Sequence, residues 1–167
     1  MLAGYQTENS AKIEYSRDWL DKMDFGPQDA KDNPEWECLA EALYFEARGE
    51  SVKGQFAVAE VILNRVDSVA FPDTICKVVN QGTGRKYACQ FTYTCDGRPE
   101  KINEPRAFDR VGKVAYLMSE GGERALTDGA THYHTKSVNP NWSRVYPRTT
   151  TIGYHHFYRK PTRVSTN

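Results

Sequence analysis

The sequence predicts an α+β fold, with a mainly helical lobe followed by a small β lobe. Two patterns lead to this prediction. Apolar residues recur at the helical period between residues 34 and 119, whereas β-branched and aromatic residues, interrupted by Pro and Asn, dominate residues 130–157. A chain of 167 residues fits one domain with one core. We therefore predict a catalytic domain over residues 34–167 and an N-terminal arm or spacer over residues 1–33.

The first long helix is predicted to begin at Pro34. Asn33 supplies a capping side chain, proline suits the first helical position, and Glu35 places an acid in the first turn. The helix should end near residues 47–49. One stripe follows the spacing i, i+3, i+4 and i+7 and consists of Leu39, Ala42, Leu43 and Glu46.

Glu46 is the carboxylate on this otherwise apolar stripe. Burial disfavours the ionised form, so a core-facing Glu should have a raised pKa. A raised pKa beside a cleft suits a general acid. The alternative is a Glu paired with an Arg in the core, and the spacing does not decide between the two.

The later elements follow from the same rules. Residues 52–66 form a helix so apolar that it should be mostly buried, and residues 72–79 form a short helix with Pro72 in its first turn. Residues 88–96 alternate polar and apolar side chains, which predicts a strand or hairpin. A helix should run from Pro105 to Ser119 and end at two glycines, with short strands near residues 130–135 and 149–157.

Charge and hydropathy exclude two classes of partner. Lys plus Arg equals Asp plus Glu, at 22 each, so the net charge does not favour nucleic acid. There is no apolar run near 18 residues, hence no predicted membrane span. The N-terminus lacks the basic and apolar regions of a secretion signal.

Four cysteines form an even set, for which disulfides in an oxidising compartment and free buried thiols are both open. The sequence allows three connectivities. We expect the bond among Cys76, Cys89 and Cys95, with Cys38, inside the first long helix, as the one that stays free or pairs last. The five residues between Cys89 and Cys95 exceed the usual spacing of zinc ligands.

Two long blocks carry a resemblance to a known family. Residues 38–50 read CLAEALYFEARGE and residues 54–66 read GQFAVAEVILNRV. Shorter blocks follow at residues 71–75, 89–92, 129–133 and 152–157. Together they resemble the SleB/CwlJ-type cell-wall hydrolases over residues 36–159.

The resemblance implies a lysozyme-like fold and a lytic transglycosylase that cuts the glycan strands of peptidoglycan. The family's catalytic acid corresponds to Glu46. Glu50 lies on the same helix side, or beyond the helix end at Gly49, so it cannot flank a sugar ring opposite Glu46; we expect an orienting or structural role. With a single acid, the substrate's own 6-hydroxyl or N-acetyl group attacks, and the product is a 1,6-anhydromuramic end.

Candidate substrate-binding residues come from the later aromatic and amide-bearing segments, because rings cover sugar faces and amides bond hydroxyls. Each of them is equally compatible with a core position. The candidates are Gln90, Tyr93, His132, Tyr133, His134 and Trp142.

Three other functions remain open. A hydrolytic muramidase, such as a phage endolysin, would need a second carboxylate, for which Asp96 and Asp128 are the nearest acids. A zinc-dependent amidase or peptidase would use His132 and His134 with His155. The third is a non-catalytic glycan-binding module. We expect no cofactor or bound metal, a monomer, and a location in the periplasm or cell envelope.

Overall fold

A computed structural model describes residues 12–24, 30, 32–81, 91–94 and 101–161. In this part of the chain five α-helices precede a small antiparallel sheet, which confirms the α+β prediction. The helices are α1 (Arg17–Asp21), α2 (Pro34–Ala47), α3 (Val52–Val66), α4 (Ile75–Val79) and α5 (Pro105–Ser119). The strands are β1 (His132–Thr135), β2 (Arg148–Ile152) and β3 (His155–Tyr158), in the spatial order β1-β3-β2. Two short 3-10 turns occupy Thr92–Thr94 and Asn141–Arg144.

The start of α2 and its apolar stripe agree with the sequence pattern. The side chain of Asn33 accepts hydrogen bonds from the backbone N–H groups of Glu35 and Trp36, at 3.0 and 3.4 Å. Leu39 and Leu43 are fully buried. They pack in one core with α3, all of whose residues from 54 to 63 are buried. The helix that carries Glu46 is therefore supported along its length by a rigid apolar neighbour.

Helix α4 begins three residues later than predicted. Thr74, not Pro72, precedes its first turn, and the Thr74 side chain accepts a bond from the N–H of Lys77 at 3.1 Å. One Glu35 carboxylate oxygen also accepts from the N–H of Ile75, at 2.7 Å. Capping by Thr74 and Glu35 satisfies the free N–H groups of this turn, so the helix starts where those side chains lie.

A disulfide joins Cys38 to Cys76, so the prediction that Cys38 would stay free or pair last is wrong. Cys38 lies beside the core-facing stripe of α2, one turn beyond Glu35, and is only partly buried. Because Glu35 caps α4, Cys76 in the first turn of α4 is held next to Cys38. Cys89 and Cys95 lie outside the described residues.

The predicted strand over residues 88–96 is wrong where it can be compared. Residues 91–94 form a bend followed by a 3-10 turn, in which Thr94 Oγ1 donates to the carbonyl of Phe91 at 2.8 Å. Phe91 and Tyr93 are both buried. The polarity alternates because the two aromatic rings pack into the helical core. Thr94 satisfies the Phe91 carbonyl, so that carbonyl needs no neighbouring strand.

Helix α1 also contributes to the core, since Leu20 is fully buried and its carbonyl accepts a hydrogen bond from Lys113 Nζ at 3.0 Å. The domain boundary at residue 33 stays a prediction. None of the described helices has the length and hydropathy needed to cross a membrane.

The register of the sheet determines which side chains can reach the helices. Tyr133 pairs with Phe157 and Thr135 with His155, so these four share one face. Phe157 and His155 are buried on that face. The pairs His132–Tyr158 and His134–His156 therefore lie on the opposite face.

Candidate active site

A cavity of about 170 Å³ lies where the C-terminal ends of α2 and α3 meet the start of β1. Phe91, which directly precedes the first 3-10 turn, and Trp142, within the second, also line it. Its described lining consists of Glu46, Arg65, Phe91, His132, Tyr133 and Trp142. Three of the residues predicted to bind substrate, His132, Tyr133 and Trp142, are thus brought together with the predicted acid.

Glu46 reaches the cavity from the last turn of α2, as the stripe predicted. Its Oε1 accepts a hydrogen bond of 2.7 Å from the phenolic O–H of Tyr133. Burial raises the pKa of the Glu46 carboxyl, while the Tyr133 hydrogen bond and the charge of Arg65 oppose that rise. The site therefore contains a carboxyl group that holds its proton to higher pH than an exposed glutamate does.

Tyr133 is positioned by the inner face of the sheet. Its ring meets His155 edge-on, with centroids 5.0 Å apart, and lies tilted against Phe157 at 5.9 Å. Burial, and then the neighbouring Glu46, raise the pKa of the phenol well above 10. Tyr133 therefore remains a neutral hydrogen-bond donor to Glu46 across the pH range in which proteins are folded.

Arg65 supplies a buried positive charge that was not among the site residues predicted from the sequence. Its Nε donates to the carbonyl of Thr131 at 2.7 Å, and its guanidinium lies 5.1 Å from the ring centre of Phe71. Burial lowers its pKa, while Tyr133 and Glu46 raise it. Arginine still stays protonated. The available signal was an Arg at a buried position of an otherwise apolar helix.

Arg65 and Glu46 do not form a salt bridge in the described part of the chain, which answers the alternative that a core Arg neutralises the carboxylate. The Nη1 atom of Arg65 is buried and has no hydrogen-bond partner among the described residues. Buried donors usually find partners. Arg65 therefore places a buried cation with an unpaired N–H close to Glu46.

The rings of His132 and Trp142 form an aromatic part of the cavity lining. The ring of His132 lies 4.9 Å from that of Trp142 and 5.1 Å from that of Tyr146. Burial, and then the charges of Arg65 and Lys160, lower the pKa of His132 to about 4. At neutral pH His132 is therefore neutral, and with Trp142 it offers the flat ring faces that sugars contact.

Glu50 lies behind Tyr133 and outside the cavity lining. Its Oε1 is 3.5 Å from Nδ1 of the buried His155, whose ring in turn meets Tyr133. Burial lowers the pKa of His155, and the Glu50 charge opposes that change. The orienting or structural role expected of Glu50 stays a prediction. Glu50 could act on Tyr133 indirectly, since His155 contacts both residues.

The remaining candidates lie elsewhere. Tyr93 is 8% exposed and stacks on Phe45 with ring centres 4.8 Å apart, so it belongs to the core next to the site. His134 stacks on Tyr158, and its Nε2 lies 2.9 Å from the Tyr158 hydroxyl oxygen. Neither lines the cavity. Gln90 lies outside the described residues.

The three histidines of the alternative zinc site are not brought together. His155 is on the opposite face of the sheet from His132 and His134. Across the described ranges, no group of three or more His, Cys, Asp or Glu side chains is placed to hold a metal ion. Asp128 is exposed in a left-handed turn with φ 52°, as its neighbour Gly129 suggested, and Asp96 is outside the described residues.

Comparisons with known proteins agree on one family. The profile of the Cell Wall Hydrolase family matches residues 49–158. The spore cortex-lytic enzyme of Halalkalibacterium halodurans is 33% identical over 133 residues, covering 72% of this chain and 33% of that protein. The spore cortex-lytic enzyme of Bacillus subtilis is 30% identical over 125 residues, covering 75% of this chain and 37% of its own length. The chain thus spans about a third to two fifths of the length of the curated relatives it matches.

Solved structures give the same result. The catalytic domain of the germination-specific lytic transglycosylase SleB from Bacillus anthracis is 29% identical, with a TM-score of 0.59, and the match covers 76% of this chain and 95% of that one. The catalytic domain of the Bacillus cereus SleB protein is 28% identical, with a TM-score of 0.56, covering 90% and 97%. Glu46 lies just before the range matched by the family profile but inside the block that carries the resemblance.

Proposed function

Because the chain belongs to the cell wall hydrolase family, we propose that it cleaves the glycan strands of peptidoglycan as a lytic transglycosylase. The similarity to a solved catalytic domain described as a germination-specific lytic transglycosylase supports this reaction. We further propose Glu46 as the catalytic residue.

One observation carries the proposal. Glu46 is the only carboxylate among the described residues that line the cavity, and burial raises its pKa. A glycosidase with two carboxylates needs the second one across the sugar ring, at about 5–9 Å. A single carboxyl group with a raised pKa beside a buried cation instead suits a reaction in which the substrate provides its own nucleophile.

The chemical step balances with Glu46 as the one proton carrier. Glu46 donates its proton to the oxygen of the glycosidic bond while the bond from that oxygen to C1 of muramic acid breaks. The 6-hydroxyl of the same muramic acid then bonds to C1 and returns a proton to the Glu46 carboxylate. The product is a 1,6-anhydromuramic end, and no water is consumed.

Neighbouring groups support each stage. When Glu46 has lost its proton, the Tyr133 hydrogen bond and the Arg65 charge stabilise the carboxylate. Trp142 and the neutral His132 provide the flat faces for the rings.

We propose that the enzyme acts as a monomer in the periplasm or cell envelope, where this substrate lies.

The test is digestion of purified peptidoglycan in EDTA, followed by mass spectrometry of the fragments. We expect products lighter by one water than hydrolytic fragments, and we expect Glu46→Gln to lower the rate by about 10²–10⁴-fold while the protein stays folded. Glu37→Gln is the matched control, because Glu37 is exposed on the same helix.

Each alternative has its own result. Reducing-end muramic acid would identify a hydrolytic muramidase, and EDTA-sensitive peptide cleavage restored by zinc would identify a metalloenzyme. Binding without cleavage would identify a glycan-binding module. Substantial turnover by folded Glu46→Gln protein would refute the assignment of the acid.

A further inference from the structure

A second and larger depression, which we call the Lys160 groove, lies next to the catalytic cavity. Its volume is about 510 Å³. It is formed by the C-terminal end of α3 with Asp67, by the turn that contains Gly129 and Thr131, and by residues 159–161 after β3. No step of the proposed reaction involves this groove.

The groove carries an excess of positive charge. Of its lining residues, Arg124 forms a salt bridge with Asp67 and so is neutralised. Arg159 and Lys160 are exposed and have no carboxylate partner within the described ranges. Two cations with unused hydrogen-bond donors therefore face a depression large enough for a short peptide segment.

Thr131 connects the groove to the catalytic cavity. Its hydroxyl oxygen accepts a hydrogen bond from the N–H of Lys160 at 2.9 Å and lies 3.0 Å from Nδ1 of His132. Its carbonyl accepts from Arg65 at 2.7 Å. The positive charge of Lys160 also helps to lower the pKa of His132. Thr131 therefore connects the Lys160 groove with the catalytic cavity.

We infer that the Lys160 groove binds carboxylates of the peptide stem that muramic acid carries, an inference that rests on the proposed function. A muramic acid next to Glu46 bears its stem on a lactyl ether, and the stem contains acidic residues with free carboxylates. Three extended units span about 10 Å, and the groove adjoins the cavity through the neighbouring residues Thr131 and His132. Arg159 and Lys160 would then favour glycan strands that still bear their stems.

The test compares two forms of one substrate: glycan strands with intact stems, and the same strands after an amidase has removed the stems. The variant is Arg159→Gln with Lys160→Gln. The control is Lys53→Gln with Arg106→Gln, which removes the same charge from exposed positions at the starts of α3 and α5.

We expect wild-type protein to prefer stem-bearing strands, and the groove variant to lose about tenfold in kcat/KM on them and nothing on stripped strands. The control should match wild type on both. Raising the salt to about 0.5 M should reduce the wild-type preference, because the contacts are exposed charges. Equal losses on both substrates, no loss, or a wild-type preference for stripped strands would overturn the inference.

A binding measurement separates this inference from the proposed function. Glu46→Gln protein is titrated by calorimetry with a soluble disaccharide–tripeptide muropeptide, and with the same compound after its carboxylates are methylated. The inference is supported if the ester binds more weakly than the acid and if this difference disappears in the groove variant. That result would count even if wild-type protein cleaves no glycan. Cleavage that depends on Glu46 but shows equal binding of acid and ester refutes the groove and leaves the function standing. A phosphate-bearing wall polymer that competes where the muropeptide does not would also refute it.

Discussion

Removing one hydroxyl, in Tyr133→Phe, should shift the pH dependence of cleavage in a direction that the site fixes in advance. The phenol donates a 2.7 Å hydrogen bond to Glu46 Oε1 and so favours the ionised carboxylate. Without it the pKa of Glu46 should rise. A hydrogen bond to a charged group contributes about 1.5–3 kcal/mol, and one pKa unit corresponds to about 1.4 kcal/mol. Because solvent screens part of this free energy, we expect the pKa of Glu46 to rise by about one unit.

The same bond stabilises Glu46 after it has given up its proton, so kcat should fall by about tenfold. Activity requires the protonated acid, and the basic limb of the kcat/KM profile should therefore move to higher pH while the maximum decreases. The ring contacts with Phe157 and His155 remain in the variant. Initial rates of glycan release across pH 4–9 measure both effects, with Tyr154→Phe, half-exposed in the β2–β3 turn, as the control. A limb that stays in place or moves to lower pH would refute the assigned role of Tyr133.

Two further predictions concern stability. Cys38→Ala with Cys76→Ala should lower the free energy of unfolding by about 4 kcal/mol in the chain-entropy model, given a separation of 38 residues, and urea unfolding measures this; a loss below about 1 kcal/mol would contradict it. The second follows from the pKa of His132, about 4 in the folded protein against 6.5. The unfolded chain binds more protons between these values, so stability should fall as pH decreases from about 6.5 to 4. The upper bound is ~3 kcal/mol, which solvent screening reduces to about 1–2 kcal/mol. His132→Gln should flatten this part of the curve but not abolish it, because His155 and His156 also have lowered pKa values. An unchanged slope would contradict the prediction.

The sequence predicted what depends on neighbours a few positions away. The Asn33 cap, the bounds of α5 and the burial of Leu39 and Leu43 follow from side chains within one or two helical turns. The orientation of Glu46 follows in the same way, because its place on the stripe fixes which side of α2 it occupies. Residue type and period are sufficient for such features.

Features that depend on distant partners were missed or wrong. Helix α4 starts where Glu35, 40 positions earlier, reaches the N–H of Ile75, and that contact also brings Cys76 to Cys38. The alternation over residues 88–96 gave no sign that Tyr93 would stack on Phe45. No local pattern distinguishes an aromatic residue of a strand from one that fills a gap between helices.

The acidity of Glu46 depends on how Arg65 uses its hydrogen bonds. A salt bridge between the two would lower the pKa of the carboxyl group and leave it ionised at neutral pH. Instead Arg65 donates its Nε hydrogen to the Thr131 carbonyl and lies against Phe71, so its charge only moderates the effect of burial. This arrangement costs folding free energy, since the Glu46 carboxyl is buried and the Arg65 Nη1 atom has no hydrogen-bond partner among the described residues. Replacement of Glu46 by Gln should therefore leave the fold as stable as before, or more stable, near neutral pH. Structural stability alone does not account for a glutamate at this position, whereas the proposed role of Glu46 as a proton donor would.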